Sequence, residues 1–376
     1  MEKRKVVVFI IVLFTTIMLS ATETRAASMG GVGFYMKDNS NIFAFPGTFN
    51  SYQSMVISEL RVKNLDTSYS AGIHFPSTYG VYLNNPVTVN LPSSFDYVTI
   101  DNTMDLFYGS KLTNYDLGIR LAYGLDSFLN EIPGTDLDEK ETAHYYSFGV
   151  GLSDEIRDFG FNFELPGAKY EFDDEEKTWG GFGIGLNYRN FLDRGKMQLV
   201  PVITFKISKT KYEHDTGVTG ADVAKTDYSD LSFGIGVGLN YEISDQNLLV
   251  VGFEPFGMSS SKTEVKNGWE YKDVTLVLPG VYAGVESQIK SWLTGRFGLA
   301  QTFRIVTETS KPYQGEEETD TTNYKDFALT FGLGFKFGKF TLDAYINEGL
   351  LFDGPNFISG TDQPIASKLS LTYDFE

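Results

Sequence analysis

The stretch Leu231-Ser-Phe-Gly-Ile-Gly-Val-Gly-Leu-Asn-Tyr-Glu-Ile243 decides the fold. Leu231, Phe233, Ile235, Val237, Leu239, Tyr241 and Ile243 fall on one face, and Ser232, Gly234, Gly236, Gly238, Asn240 and Glu242 fall on the other. So long a run at period two is a strand with one apolar face and leaves no room for a helix. Phe182, Ile184, Leu186 and Tyr188 repeat the pattern against Gly181, Gly183, Gly185, Asn187 and Arg189. Phe327, Leu329, Phe331, Leu333, Phe335 and Phe337 do so against Ala328, Thr330, Gly332, Gly334 and Lys336. The phrases at 182–189 and 233–242 are near-copies, which reads as one structural solution used twice.

The same rule reaches the end of the sequence, where Leu369, Leu371, Tyr373 and Phe375 alternate with Lys368, Ser370, Thr372 and Asp374 before Glu376. Outer-membrane barrels characteristically close on an alternating strand with a terminal aromatic that the insertion machinery reads. This strand resembles that signal, which assigns Leu371, Tyr373 and Phe375 as its assembly residues. Weaker alternating segments at 52–62, 68–76, 79–90, 101–111, 115–124, 144–152, 158–165, 197–212, 247–262, 273–289, 292–308 and 339–348 bring the expectation to an antiparallel transmembrane barrel of 14–16 strands. Pro201, Pro255 and Pro279 fall inside some of them and predict bulges or strand ends. Short breaks at 63–67, 112–114, 153–158, 192–196, 244–246 and 338–339 alternate with long acidic ones at 125–143, 166–176, 213–227, 263–272, 309–323 and 349–365. Short periplasmic turns alternating with long external loops are what such a barrel requires.

At the other end, Lys3-Arg4-Lys5, an apolar run from Val6 to Leu19 and the tail Thr24-Arg25-Ala26 have the layout of a secretory signal peptide over 1–26. The organisation expected is a signal peptide at 1–26, a plug or lead-in segment at 27–50 and a barrel at 51–376. The chain of 376 residues carries a formal charge of -18, which becomes -20 once the leader leaves with its four basic and two acidic side chains. That sign opposes nucleic-acid binding. The absence of cysteine removes disulfides and lipoprotein attachment. No cofactor and no catalytic set is expected. His74, His144 and His214 lack partners at hydrolase spacing, and the glycines of Gly180–Gly185 lie within a strand pattern rather than a phosphate loop.

Between leader and first strand lie Met29-Gly-Gly-Val-Gly-Phe, Lys37-Asp-Asn-Ser-Asn-Ile-Phe and Phe45-Pro-Gly. This segment resembles the N-terminal part of the FadL/TodX long-chain fatty acid transporter family and of PorV-like barrels, with Phe45-Pro46-Gly47 standing where those families carry an Asn-Pro turn. The resemblance implies a plug folded inside the barrel, with Met29, Gly30, Gly31, Asp38, Asn39 and Phe45 as its candidate residues. It also implies passage of a small hydrophobic or amphipathic solute across the outer membrane. The alternative is a non-transporting scaffold that anchors partners, as PorV-like barrels do.

Alternation turns Arg120, Arg189, Lys206, Arg296, Arg304 and Lys336 inward, with Glu242, Glu286 and Asp374, because a charge facing lipid near the midplane costs about 2–4 kcal/mol. Arg120, Arg189 and Arg304 are the candidate substrate-contacting residues of the lumen. The inward charges are either a selective lining or a set of mutual pairs. Inward glycines leave room for a plug or for a passage. In the acidic loops, Asp173, Asp174, Glu175 and Glu176 are candidates for a divalent cation that would bridge to surface glycolipid, the alternative being a solvated loop. The partners expected are outer-membrane lipid, surface glycolipid and the insertion machinery.

Overall fold

Alternating segments become paired staves in a computed structural model that describes residues 23–63, 66–76, 78–134, 137–219, 221–347, 354 and 364–375. The expected leader up to residue 22 and the residue Glu376 lie outside the described residues. The strands are β1 (Met55–Lys63), β2 (Asp66–His74), β3 (Tyr79–Pro86), β4 (Asn102–Leu112), β5 (Tyr115–Glu131), β6 (Asp138–Ser153), β7 (Arg157–Phe172) and β8 (Glu175–Asn190). They continue with β9 (Leu192–Arg194), β10 (Met197–Asp215), β11 (Ala224–Ser244), β12 (Asn247–Val265), β13 (Glu270–Lys290) and β14 (Leu293–Lys311). The last are β15 (Glu318–Phe337), β16 (Phe340–Ile346) and β17 (Ala366–Asp374). The short β9 prolongs β8 along the base of β10. The other sixteen form an antiparallel barrel, closed where β1 pairs β17 from Met55 opposite Asp374 to Arg61 opposite Lys368.

Closure lets the ladder satisfy the backbone on both sides of every stave, which lipid demands because it offers no hydrogen bonds. Outward side chains such as Leu121, Phe148, Ile203, Ile235, Phe253 and Phe327 are exposed, whereas the inward Arg120, Asp158 and Arg189 are buried. This reverses the soluble pattern, and lipid is the solvent that makes it favourable. The prolines sit at faults in the ladder. Register shifts flank Gly236, opposite the Glu254–Pro255 stretch, and Leu278–Pro279, while Pro201 falls where the partner of β10 changes from β9 to β8.

Two expectations change. Among the described residues the long acidic breaks are mostly ladder: β7 and β8 stay paired out to Phe172 opposite Glu175, and β14 and β15 out to Ser310 opposite Glu318, while the break at 349–365 lies almost wholly outside the described residues. Strands of up to 21 residues exceed the roughly 9–11 that cross a bilayer, so the surplus stands above it as hairpins. Beyond lipid no face has to be apolar, so the alternation ends while the hydrogen bonds continue. Charges then pair along and across the strands, Lys169 with Glu171 at 2.6 Å and Glu176 at 3.3 Å, and Lys262 with Glu264 at 2.8 Å and Glu270 at 3.2 Å. The second change concerns the break at 63–67, which joins the tops of β1 and β2 on the side of the long hairpins. The turn on the opposite side lies between His74 and Tyr79.

Two segments run inside the staves. The connection from Val87 to Asp101, read in part as a strand over 79–90, packs on the inner face instead, with Phe95, Val98 and Ile100 buried against Ala143, Tyr145, Ala168, Tyr170 and Trp179. Residues 23–51 lie nearer the short-turn side as helix α1 (Glu23–Ser28) and three single turns, Val32–Tyr35, Asn39–Phe43 and Pro46–Ser51.

Candidate functional site: the barrel interior

The interior is built around the N-terminal segment, whose local folds follow from its residues. Asp38 caps the turn after it: its Oδ1 accepts from the Ser40 N–H at 3.0 Å, and the Asn41 side chain accepts from the Asp38 N–H at 3.0 Å. Proline starts the next turn at Pro46, where its missing N–H costs nothing. Gly30 takes a left-handed φ of 75° and donates to Thr330 Oγ1 at 2.9 Å. A side chain at Gly30 would meet the Leu299 carbonyl at 2.6 Å.

The inward glycines form the bed for this segment. Met29 lies over Gly284, Gly30 over Gly298, and the Tyr35 ring over Gly236, Gly238 and Gly252. Further round, Pro46 covers Gly118, Gly47 covers Gly151 and Ala44 covers Gly160, so a methyl group at any of these would collide. Met29, Val32, Tyr35 and Met36 bury against Phe191, Val200, Val202 and Val250, while Ile42, Phe43 and Phe49 bury against Ile57, Tyr82 and Phe107.

The expected lumen residues divide into two groups. Arg189 is fully buried and pairs with Asp158 at 2.7 Å, directly across the strand pair. Its Nη1 donates to the carbonyls of Met36 at 2.8 Å and Phe34 at 3.2 Å, and its guanidinium lies 4.5 Å from the centre of the Phe45 ring. Arg120 pairs with Asp105 at 2.5 Å and faces the Phe43 ring. Both therefore touch the N-terminal segment, which carries the candidates Met29, Gly30, Asp38 and Phe45. Arg304 stands apart on β14 and pairs with Asp326 at 2.7 Å. Lys206 pairs with Glu164 at 2.9 Å, and Arg296 bridges Glu286 at 2.7 Å and Asp343 at 2.6 Å. Of the two readings of the inward charges, these contacts favour mutual pairing.

Sequence reasoning gives no interior role to Glu23 and Arg25, which fall within the expected leader. Arg25 reaches Glu286 at 2.8 Å and Asp38 at 3.0 Å. Burial opposes its charge, yet the Glu286 and Asp38 carboxylates more than offset this and hold it protonated above the usual guanidinium range. It also missed the apolar face under the inward loop, where Phe128, Tyr212 and Tyr228 join the cluster around Tyr145, Tyr170 and Trp179.

The histidines are dispersed. The His74 ring is buried, with Nδ1 at the Tyr52 carbonyl and Nε2 2.7 Å from the Tyr82 hydroxyl. His144 lies tilted beside Tyr146 on the outer face, and His214 Nε2 lies 2.7 Å from Glu175 Oε1 on the outer hairpins. Of the acidic run, Asp173 and Asp174 form the turn between β7 and β8, while Glu175 and Glu176 have cationic partners in Lys177 and Lys169. Among the described residues no group of three or more His, Asp or Glu side chains could hold a metal ion.

An apolar outer belt around a charged and polar interior defines the class, a transmembrane β-barrel of the outer membrane. Outer membrane protein Omp26La of Vibrio anguillarum is 28% identical over 242 residues, which are 63% of this chain and 84% of that one. OmpV of Vibrio cholerae is 26% identical over 242 residues with the same coverage. Among solved structures, the deltaS2 mutant of the TodX monoaromatic hydrocarbon channel is similar over 94% of this chain and 98% of that one, at 9% identity and a TM-score of 0.41. No family model matches the chain.

Proposed function

We propose that this barrel passes a small hydrophobic or amphipathic solute across the outer membrane, with residues 23–51 as a plug nearer the periplasmic side. The observation that supports the reading is the aromatic face inside the outer half of the barrel. Tyr145, Tyr170, Trp179, Tyr212 and Tyr228 line it beside the inward loop. The wall does not need that face, because the outward residues already meet lipid and the inward Arg120, Arg189, Lys206, Arg296 and Arg304 pair their charges with carboxylates. Aromatic rings offer apolar contact and polar edges together, which suits a solute with both. Below it, the N-terminal segment is seated on glycines and held by Arg120 and Arg189.

Proteoliposomes test this by comparing flux of alkylbenzenes and medium-chain fatty acids with that of a small sugar. Trp179→Ala is expected to slow the apolar solutes several-fold more than the sugar, and deletion of residues 27–50 to raise flux of both. If neither change alters flux or conductance while the barrel still inserts, transport is rejected and the partner-anchoring scaffold takes its place.

A further inference from the structure

The leader's tail, Thr24-Arg25-Ala26, offers a small residue at each position a signal peptidase reads, and by that rule alone the cut falls after Ala26. The contacts of the folded barrel disagree with that boundary. Glu23 and Thr24 are buried inside the barrel, and Glu23 forms ion pairs with Arg61 of β1 at 3.7 Å and with Lys368 of β17, the two staves that close the wall. Arg25 makes a two-pronged contact with Glu286, Nε to Oε2 at 2.8 Å and Nη2 to Oε1 at 2.9 Å, and its Nη1 reaches Asp38 at 3.0 Å. The backbone takes part as well. The Ala26 carbonyl accepts from the N–H groups of Met29 at 3.2 Å and Gly31 at 3.0 Å, and the Arg25 carbonyl accepts from Ser28 Oγ at 2.8 Å. Cutting after Ala26 would remove both charged side chains and the carbonyl that accepts from Met29 and Gly31. Arg61, Lys368, Asp38 and Glu286 would each lose a buried counter-charge, a costly change in a site removed from water.

We infer that the signal peptidase cut falls after Ala21, so that the mature protein begins at Thr22 and carries Glu23 and Arg25 into the barrel. Ala21 supplies a small residue two positions beyond the end of the apolar run at Leu19, with Leu19 itself in place of the usual small residue two positions before it. The charged pair is thereby part of the plug rather than of the discarded leader. This inference stands whether or not the barrel conducts a solute.

Intact mass and N-terminal sequencing of protein extracted from the outer membrane test it directly. A chain starting at Thr22 is expected. A start at Ala27 or Ser28 overturns the inference, because both side chains are then gone, and so does a start at Met1, because no cut has occurred. Arg25→Ala gives a second readout on purified protein of mature mass. Its unfolding temperature in detergent is expected to fall by several degrees, whereas a residue lost with the leader would leave it unchanged. An unchanged unfolding temperature in the variant therefore counts against the inference even where export is normal.

Discussion

Arg189 shows at the scale of one residue how the interior is held. Replacing it with Met leaves Asp158 buried beside an apolar side chain and two carbonyls of the N-terminal segment without their donor. Breaking a buried pair from one side costs about 3–5 kcal/mol. Arg189→Met is therefore expected to lower the unfolding temperature of the purified barrel, followed by heat-dependent mobility on a gel and by circular dichroism. Arg189→Lys is expected to recover little, because an ammonium cannot serve a carboxylate and two carbonyls with a planar fork. The inward position of Arg189 was legible from its place opposite Tyr188 in the alternation. Its partner was not, since Asp158 lies in a stretch that reads as a turn, and only the register of β7 against β8 sets the two side by side. Arg25 was illegible for a different reason. A rule about secretion claims that part of the chain before any rule about packing applies.

Among elements, the staves were the most legible, because each repeats one simple pattern and lipid enforces it. The sixteen segments read from alternation correspond one for one to the sixteen staves. Their ends were less legible, because the signal comes from lipid and stops where lipid stops, as the paired hairpins above Phe172 and Ser310 show. The inward loop was misread in part because Val87, Val89 and Leu91 alternate as a strand does, although what they face is the inner aromatic cluster. The glycine rows carried a real signal with two meanings, room for a plug or for a passage, and residues 23–51 are seated on them. That gives a prediction for the pair of elements. Gly298→Val places a side chain where the Gly30 nitrogen now lies, while valine suits the strand itself. The barrel is expected to form with its N-terminal segment displaced, and single-channel conductance in a planar bilayer to rise several-fold over the parent. Equal conductance in variant and parent would show that the segment does not obstruct the path.

Among the described residues the apolar core is divided among three clusters, so what commits the whole molecule to one structure is the closing of the ring. β17 pairs β16 on one side and β1 on the other, and the Phe375 N–H donates to the Ser54 carbonyl at 2.7 Å just past the last ladder pair. Tyr373 lies against Phe340, ring centres 4.6 Å apart, and Phe375 packs edge-on to Tyr373 at 5.6 Å, with Leu371 and Phe375 both exposed on the outer face. Those aromatics stabilise the finished wall modestly. Truncating a large buried aromatic costs about 3–5 kcal/mol, and Phe375 is only partly covered by protein, so its loss sits at or below the lower end. A closed barrel with sixteen paired staves tolerates that. Assembly in the cell is a separate requirement, because a chain that the insertion machinery fails to read stays in the periplasm, where proteolysis removes it however stable its barrel would have been. Phe375→Ser is accordingly expected to lower the amount in the outer membrane strongly, measured by fractionation and immunoblot, while the same variant refolded in detergent unfolds within a few degrees of the parent. Removing Glu376 leaves the alternating face intact and is expected to change neither quantity. Normal outer-membrane levels of Phe375→Ser would show that the machinery reads some other part of the chain. A matching loss in both measurements would mean that the residue acts through stability alone.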